Sequence, residues 1–247
     1  MPVFKDFLAG FDYDKPNVMN RLEQRYRHIV EPFKGDIEGG RVLDLACHDG
    51  RWSYALAHAG AKSVVGVEGR SDVLERFKTY RQCEVTERIE LRCNDLFAEL
   101  ESEVEAGEKY DVVAIFGVFY HLVDHFRLLD LARSLGPKLI IVDSNFASRA
   151  HPVILLSQEG TKSDLNAIPG KYGQDAAVTG TPSFSAMELM AKSINHSIEW
   201  IDWGNLAEDQ RGGLKDYFQP VNRKKMLDDP FWVKRATCAL RPNTLAS

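Results

Sequence analysis

The sequence predicts an α/β fold: a mostly parallel sheet with helices on both faces, an antiparallel last strand and two cap insertions. Three observations carry that prediction. Short apolar runs alternate with helix-period stretches from Arg41 to Phe146, and such alternation requires right-handed crossovers that cover both faces of a parallel sheet. Acidic residues mark the apolar runs, with Asp44 inside the first and Glu68, Asp95 and Asp143 closing three of the others. After Asn145 the rhythm breaks into connections longer than an ordinary loop of about 12–15 residues.

The elements follow in order. Asp14 is an N-cap for "KPNVMNRLEQRYRHIVEPF", which places Val18, Leu22, Tyr26, Ile29, Val30 and Phe33 at helical spacing. "RVLDLA" is the first strand and "RWSYALAHAG" a helix closed by Gly60. "SVVGVEG" is the second strand, followed by a helix over "SDVLERFKTYRQ". "IELRCNDLF" and "YDVVAIFGVF" are the third and fourth strands. "DHFRLLDLARSL" is a helix with Leu128, Leu131 and Leu135 on one face, and "KLIIVDSNF" the fifth strand. The first insertion, at about 145–182, holds a hairpin of "PVILLSQEG" and "AAVTGTP". Ser183 caps the helix "SFSAMELMAKSI", and "HSIEWIDWG" and "VKRATCALRP" form an antiparallel pair around the second insertion, at about 205–232.

Composition narrows the function. The chain of 247 residues, 44% hydrophobic, builds one good core, and its net charge of −5 weighs against a nucleic-acid clamp acting through its global field. Cys47, Cys83, Cys93 and Cys238 lack the spacing of a zinc or disulfide framework. No run reaches the length of a membrane span and the N-terminus has no signal-peptide core, so a cytoplasmic protein is expected.

The informative stretch is the turn "ACHDG" after the first strand. In an open parallel sheet, ligands bind at the carboxyl ends of the strands. Small Ala46 and flexible Gly50 let a ligand approach the backbone there. Glu68 is placed to accept two ribose hydroxyls and Asp95 the exocyclic amine of an adenine; the plain alternative for each is a solvated acid or a helix cap. A dinucleotide site needs G-x-G-x-x-G at this turn, whereas here a single glycine follows His48 and Asp49. Asp49 disfavours a pyrophosphate, so a phosphate-free, cationic nucleoside fits better and a dehydrogenase worse.

In these residues the sequence resembles the class I S-adenosylmethionine-dependent methyltransferases. "VLDLACHDG" is similar to their first motif, "GVEGR" to their ribose acid, "NDLF" to their adenine contact and "YDVVAIFGVFYHL" to their fourth motif. The resemblance implies a Rossmann-like domain over 41–247 and a helical segment, 1–40, that closes the cofactor site, where Arg21 or Arg25 either reaches the cofactor's carboxylate or stays exposed on the surface. It implies S-adenosyl-L-methionine held by Asp44, Ala46, Cys47, His48, Gly50, Glu68, Asp95, Leu96, Phe116 and Gly117. "FGVFYHLVDHFRLL" and "VKRATCALRP" are also similar to the tRNA wobble-uridine carboxymethyltransferase group. That likeness implies a carboxylated cofactor held by Tyr120 and Arg235; the missing counterpart of that group's N-terminal extension favours the ordinary cofactor.

Methyl transfer is an in-line displacement that requires alignment, exclusion of water and, for some acceptors, a base. His121 is the expected base or acceptor hydrogen-bond partner, the alternative being a histidine bonded to backbone; Tyr120 shapes the methyl site or simply packs. His121 and His125 share a helical spacing but lack a third ligand, so no metal is expected. Asp143 and Asn145 lie at the site's edge, and Tyr217, Phe218, Phe231 and Trp232 either line an acceptor pocket or anchor a lid. Arg223, Lys224 and Lys225 form the concentrated basic run, read as a solvated face or an acidic-substrate contact. The expected function is O- or N-methylation of a small molecule. A tRNA wobble-uridine methyl- or carboxymethyltransferase and a non-catalytic cofactor-binding partner protein are the alternatives.

Overall fold

The computed structural model describes residues 2–8, 16–168, 175–223 and 231–243. Asp14, Lys224 and Lys225 lie outside them. Five strands, β1 (Arg41–Leu45), β2 (Ser63–Glu68), β3 (Ile89–Cys93), β4 (Val112–Phe116) and β5 (Leu139–Ala147), pair in parallel. A hairpin of β6 (Ile154–Gly160) and β7 (Ala176–Pro182) stands apart as its own two-stranded sheet. Two further strands, β8 (His196–Trp200) and β9 (Val221–Arg223), join β10 (Phe231–Pro242) in the main sheet. The spatial order is β3-β2-β1-β4-β5-β10-β8, with β10 antiparallel to both β5 and β8. The mostly parallel sheet with its antiparallel last strand is therefore as the sequence predicts.

Strand alternation divides the interior into two cores. Val42, Val64, Val112, Ala114 and Ile141 face one side with α1 (Phe4–Phe7), α2 (Pro16–Ile29) and α4 (Arg51–His58), beyond the short α3 (Lys34–Ile37). Leu43, Leu45, Val113, Ile115 and Val142 face the other, under α6 (Leu96–Glu105), α7 (His125–Ser134) and α8 (Phe184–Ser193). Ser183 caps α8 by accepting from the Ala186 N–H.

Three expectations are revised. The third strand, read through Phe97, ends at Cys93, because Asp95 caps α6 and Leu96 opens that helix. The helix over "SDVLERFKTYRQ" shortens to α5 (Ser71–Leu74) followed by a 3-10 stretch, Glu75–Thr79. The tighter winding turns Phe77 and Tyr80 toward Phe7, and the Tyr80 hydroxyl reaches Asp49 at 2.5 Å. Asp143 does not end a strand: β5 runs on to Ala147 because β10 pairs with it from Ile140 to Ala147.

The second insertion holds α9 (Lys215–Phe218) and packs on α2. Asn20 Nδ2 donates to the carbonyls of Gln210 (2.8 Å) and Gly212 (2.7 Å), and Arg21 forms a bidentate pair with Asp216 (2.6 and 2.8 Å). Tyr217 is buried and stacks on Trp203 with ring centroids 3.9 Å apart, so it anchors the insertion. Phe218 is half-buried against the same core, Trp232 is exposed, and the side chains of Arg223 and Phe231 are outside the described set.

Candidate active site

The chain leaves β1 through a turn with three left-handed residues: Ala46 (φ 57°), His48 (φ 54°) and Gly50 (φ 77°). For Ala46 and His48 this conformation costs about 1–2 kcal/mol each. Bonds on both sides offset it. The Cys47 N–H donates to the Val67 carbonyl (2.9 Å), and the His48 N–H donates to Glu68 Oε2 (3.1 Å). Beneath the turn Asp44 is buried and accepts from Ser53 Oγ at 2.7 Å. Burial, with Glu68 and Asp49 nearby and against the pull of Ser53, pushes its carboxyl up to about 7.

Asp49 does not line the cavity, contrary to the expectation that its charge selects the ligand. Its side chain is fully buried and accepts from Arg51 Nε (2.6 Å) and Tyr80. Against the upward push of burial, His48 and Arg51 hold it well below the usual carboxylate range. Asp49 thus buttresses the turn from behind, and its charge does not face a ligand. Cys47 is buried as well, and Gly50 abuts Phe77 and Leu91, so neither side lines the cavity.

A cavity of about 570 Å³ opens at the carboxyl ends of β1, β2 and β4. Ala46, His48 and Glu68 line it from β1 and β2; Asp95, Leu96, Phe116 and Gly117 line it from the ends of β3 and β4. Glu68 Oε1 accepts from the Arg70 N–H at 3.0 Å. Asp95 Oδ1 caps α6 by accepting from the Phe97 and Ala98 N–H groups, each at 3.0 Å. Asp95 is thus a helix cap, the plain alternative, and it also borders the cavity. Gly117 takes φ 88°, and a side chain there would stand 3.4 Å from Arg235.

Arginines close the next wall. Arg21, Arg25 and Arg235 all line the cavity. Asp143, fully buried, is the hub for the last two: Arg25 donates to Oδ1 (2.9 Å), as does Arg235 Nε (2.7 Å), while Tyr217 (2.6 Å) and Thr237 (2.8 Å) donate to Oδ2. Burial would raise this carboxyl, but Arg235 and Arg25 outweigh it and hold it at about 2. Burial pushes the Tyr217 hydroxyl up to about 12. Arg25 also lies over the Trp52 ring, 4.5 Å from its centroid, and its buried Nε has no partner among the described residues. Asn145 is buried inside β5.

Tyr120 and His121 line the cavity from a 3-10 turn after β4, their rings 4.0 Å apart. His121 Nδ1 meets Glu159 Oε1 of β6 at 2.5 Å. His125 faces elsewhere, with Nε2 on the Gly180 carbonyl at 3.0 Å, and burial lowers its pKa. Sequence reasoning missed Glu159, Arg70 and Asp164. Arg70 donates to the carbonyls of Thr161 (2.9 Å), Asn166 (3.4 Å) and Ala167 (3.2 Å), fastening the loop after β6. Asp164 pairs with Arg76 at 2.7 Å and stands 3.8 Å from His48 Nε2. Residues of this loop, with Ala177 and Val178 of β7, roof the cavity.

Comparisons with known proteins agree with this architecture. A family model described as a methyltransferase domain matches residues 37–210. A tRNA U34 carboxymethyltransferase of Pseudomonas aeruginosa is 27% identical over 218 residues, 83% of this chain and 63% of that protein. One of Hydrogenovibrio crunogenus is 24% identical over 216 residues, 81% of this chain and 64% of that protein. The chain thus spans less than two thirds of the length of these curated relatives. Among solved structures, the N-terminal domain of EvdMO1, crystallised with SAH and D-fucose, matches with a TM-score of 0.60 at 17% identity, covering 95% of this chain and 85% of that one. The magnesium protoporphyrin IX methyltransferase of Synechocystis PCC 6803, with bound SAM, matches with a TM-score of 0.53 at 14% identity, covering 97% and 89%. Among the described residues no helix is long and apolar enough to cross a membrane. The sheet order, the cavity at its carboxyl edge and the matched family model make this chain a member of the methyltransferase domain family.

Proposed function

We propose that the protein is an S-adenosylmethionine-dependent methyltransferase that methylates a hydroxyl or amine of a small molecule. One observation carries this reading: Glu68, Asp95 and His121 border a single roofed cavity. The donor set fits the cofactor. Glu68 and Asp95 would hold its ribose and adenine, and Phe116 and Gly117 would flank its methionine moiety. Arg25, with an unpartnered buried Nε, would take the carboxylate, while Asp44 keeps an unpartnered Oδ1 beneath the turn. When bound, S-adenosylmethionine supplies an electrophilic methyl group on a sulfonium and leaves as a neutral thioether. His121 accepts the acceptor's proton at Nε2, and general-base help of this kind contributes typically about 10²–10⁴-fold. Tyr120 packs against the imidazole and shapes the space beside it. Loop 161–168 and β7 cover one side of the cavity and narrow the space left for an acceptor, which favours a small one.

Labelled methyl groups from S-adenosylmethionine, offered with a panel of sugars, phenols and hydroxy acids alongside unmodified tRNA transcripts, test the reading. Transfer to members of the small-molecule panel supports it. Salt-sensitive tRNA binding with labelling confined to tRNA overturns it. One observation favours that second reading: Tyr120 and Arg235, the positions similar to the carboxymethyltransferase group's cofactor contacts, both line the cavity. Tighter binding of carboxylated than of ordinary S-adenosylmethionine would distinguish it.

A further inference from the structure

We propose that Glu159 of the β6–β7 hairpin is the positioning residue that fixes the tautomer of His121, so that the base is complete only with the hairpin docked. The proposal rests on His121 being the base of the reading above, and it adds a residue that no motif marks. Nδ1 of His121 lies 2.5 Å from Glu159 Oε1. A carboxylate only accepts, so Nδ1 carries the proton, and in the neutral ring Nε2 keeps the lone pair. Free neutral histidine favours the opposite form, with the proton on Nε2 and no lone pair there. The Glu159 contact therefore decides whether the ring can act as a base toward the cavity it lines. Both side chains are about nine-tenths covered, at 10% and 11% exposure, so solvent screens the pair little.

The same carboxylate belongs to the roof. Glu159 Oε1 also accepts from the Ala167 N–H at 2.6 Å, and the Ala167 carbonyl accepts from Arg70 at 3.2 Å. The Arg70 N–H in turn donates to Glu68 at 3.0 Å. A continuous run of hydrogen bonds thus joins the ribose-side acid to the imidazole through the loop that covers both. In turnover the acceptor's O–H bond breaks as its oxygen takes the methyl group, and the proton passes to Nε2. The imidazolium formed then keeps Nδ1–H on Glu159, whose negative charge offsets the new positive one.

The test is 15N NMR of the full chain labelled at histidine, without cofactor or acceptor, at a pH where the imidazole is neutral. His121→Ala identifies the signals. The wild-type ring should show the Nδ1–H signature. Glu159→Ala should revert it to the Nε2–H-dominated mixture of free histidine, whereas Glu159→Gln, whose amide oxygen still accepts, should retain most of the wild-type signature. Arg70→Ala releases the same loop from its other side and should leave the tautomer unchanged, which separates orientation of the ring from packing of the roof. A wild-type ring protonated on Nε2, or a Glu159→Ala ring indistinguishable from wild type, overturns the proposal. A fully active His121→Ala enzyme in the panel assay would instead overturn the base reading while leaving the hold of Glu159 on the ring intact.

Discussion

Replacing Asp143 with asparagine is the most demanding perturbation this fold offers. The side chain keeps its shape and loses its charge, leaving Arg25 and Arg235 with no anion at the hub. Breaking a buried ion pair from one side costs about 3–5 kcal/mol, because the remaining charge stays desolvated. For a chain of this size that corresponds to a loss of roughly 6–20 °C in melting temperature. The exposed pair of Glu75 and Lys78, 2.7 Å apart, supplies the internal comparison. An exposed pair contributes at most about 1 kcal/mol, so Glu75→Gln should shift the transition by no more than a few degrees. The pH dependence carries the same signature. The folded chain holds the Asp143 carboxyl at about 2 against an ordinary 3.8, and each tenfold in acidity corresponds to about 1.36 kcal/mol. About 2 kcal/mol of stability is therefore complete above roughly pH 4 and lost as pH falls through roughly 2. Calorimetric melts of both variants, with urea midpoints of the wild type from neutral to acid pH, measure these effects. An Asp143→Asn melt no lower than that of Glu75→Gln would refute the assignment of Asp143 as the hub.

Other substitutions probe the cavity. Glu68→Gln removes a charged acceptor and should weaken binding of demethylated cofactor roughly 10–100-fold by calorimetry; unchanged affinity in a folded variant would remove Glu68 from the site. Asp44 titrates in the opposite sense from Asp143: its folded value of about 7 lies above the ordinary 3.8. Stability is then full below roughly pH 4 and falls by about 4 kcal/mol as pH rises through roughly 7. Asp44→Asn should abolish that slope in urea midpoints taken across this range. Arg70→Ala deletes three bonds to loop carbonyls and should speed proteolysis within 161–168 at least about tenfold, with far smaller effects elsewhere.

What could be read from the sequence was local. β1, β2, β4 and β5 each hold an apolar run, β3 alternates apolar with charged residues, and Glu68 ends β2 while Asp95 follows β3 by two residues, so order and spacing were enough to place them at the cavity. Glu159 lies 38 residues from His121 and meets it only because the hairpin folds back over the cavity. Asp143 looked like a strand end because strand length is set by the partner, and that partner, β10, begins 88 residues later. The turn after β1 was legible in its backbone demand but not in its charges. Nothing in "ACHDG" says that Asp49 turns inward to Arg51 and Tyr80 while His48 borders the cavity.

The place of β10 between β5 and β8 has a consequence for synthesis on the ribosome. β1 to β5 can pair in the order in which they emerge, but one edge of β5 has no hydrogen-bonding neighbour until residues 231–242 arrive. An open, fully buried-type edge is a template for misassociation. From the emergence of Ala147 until Phe231 follows it, the nascent chain must carry that bare edge, and an arginine-binding carboxylate without Arg235.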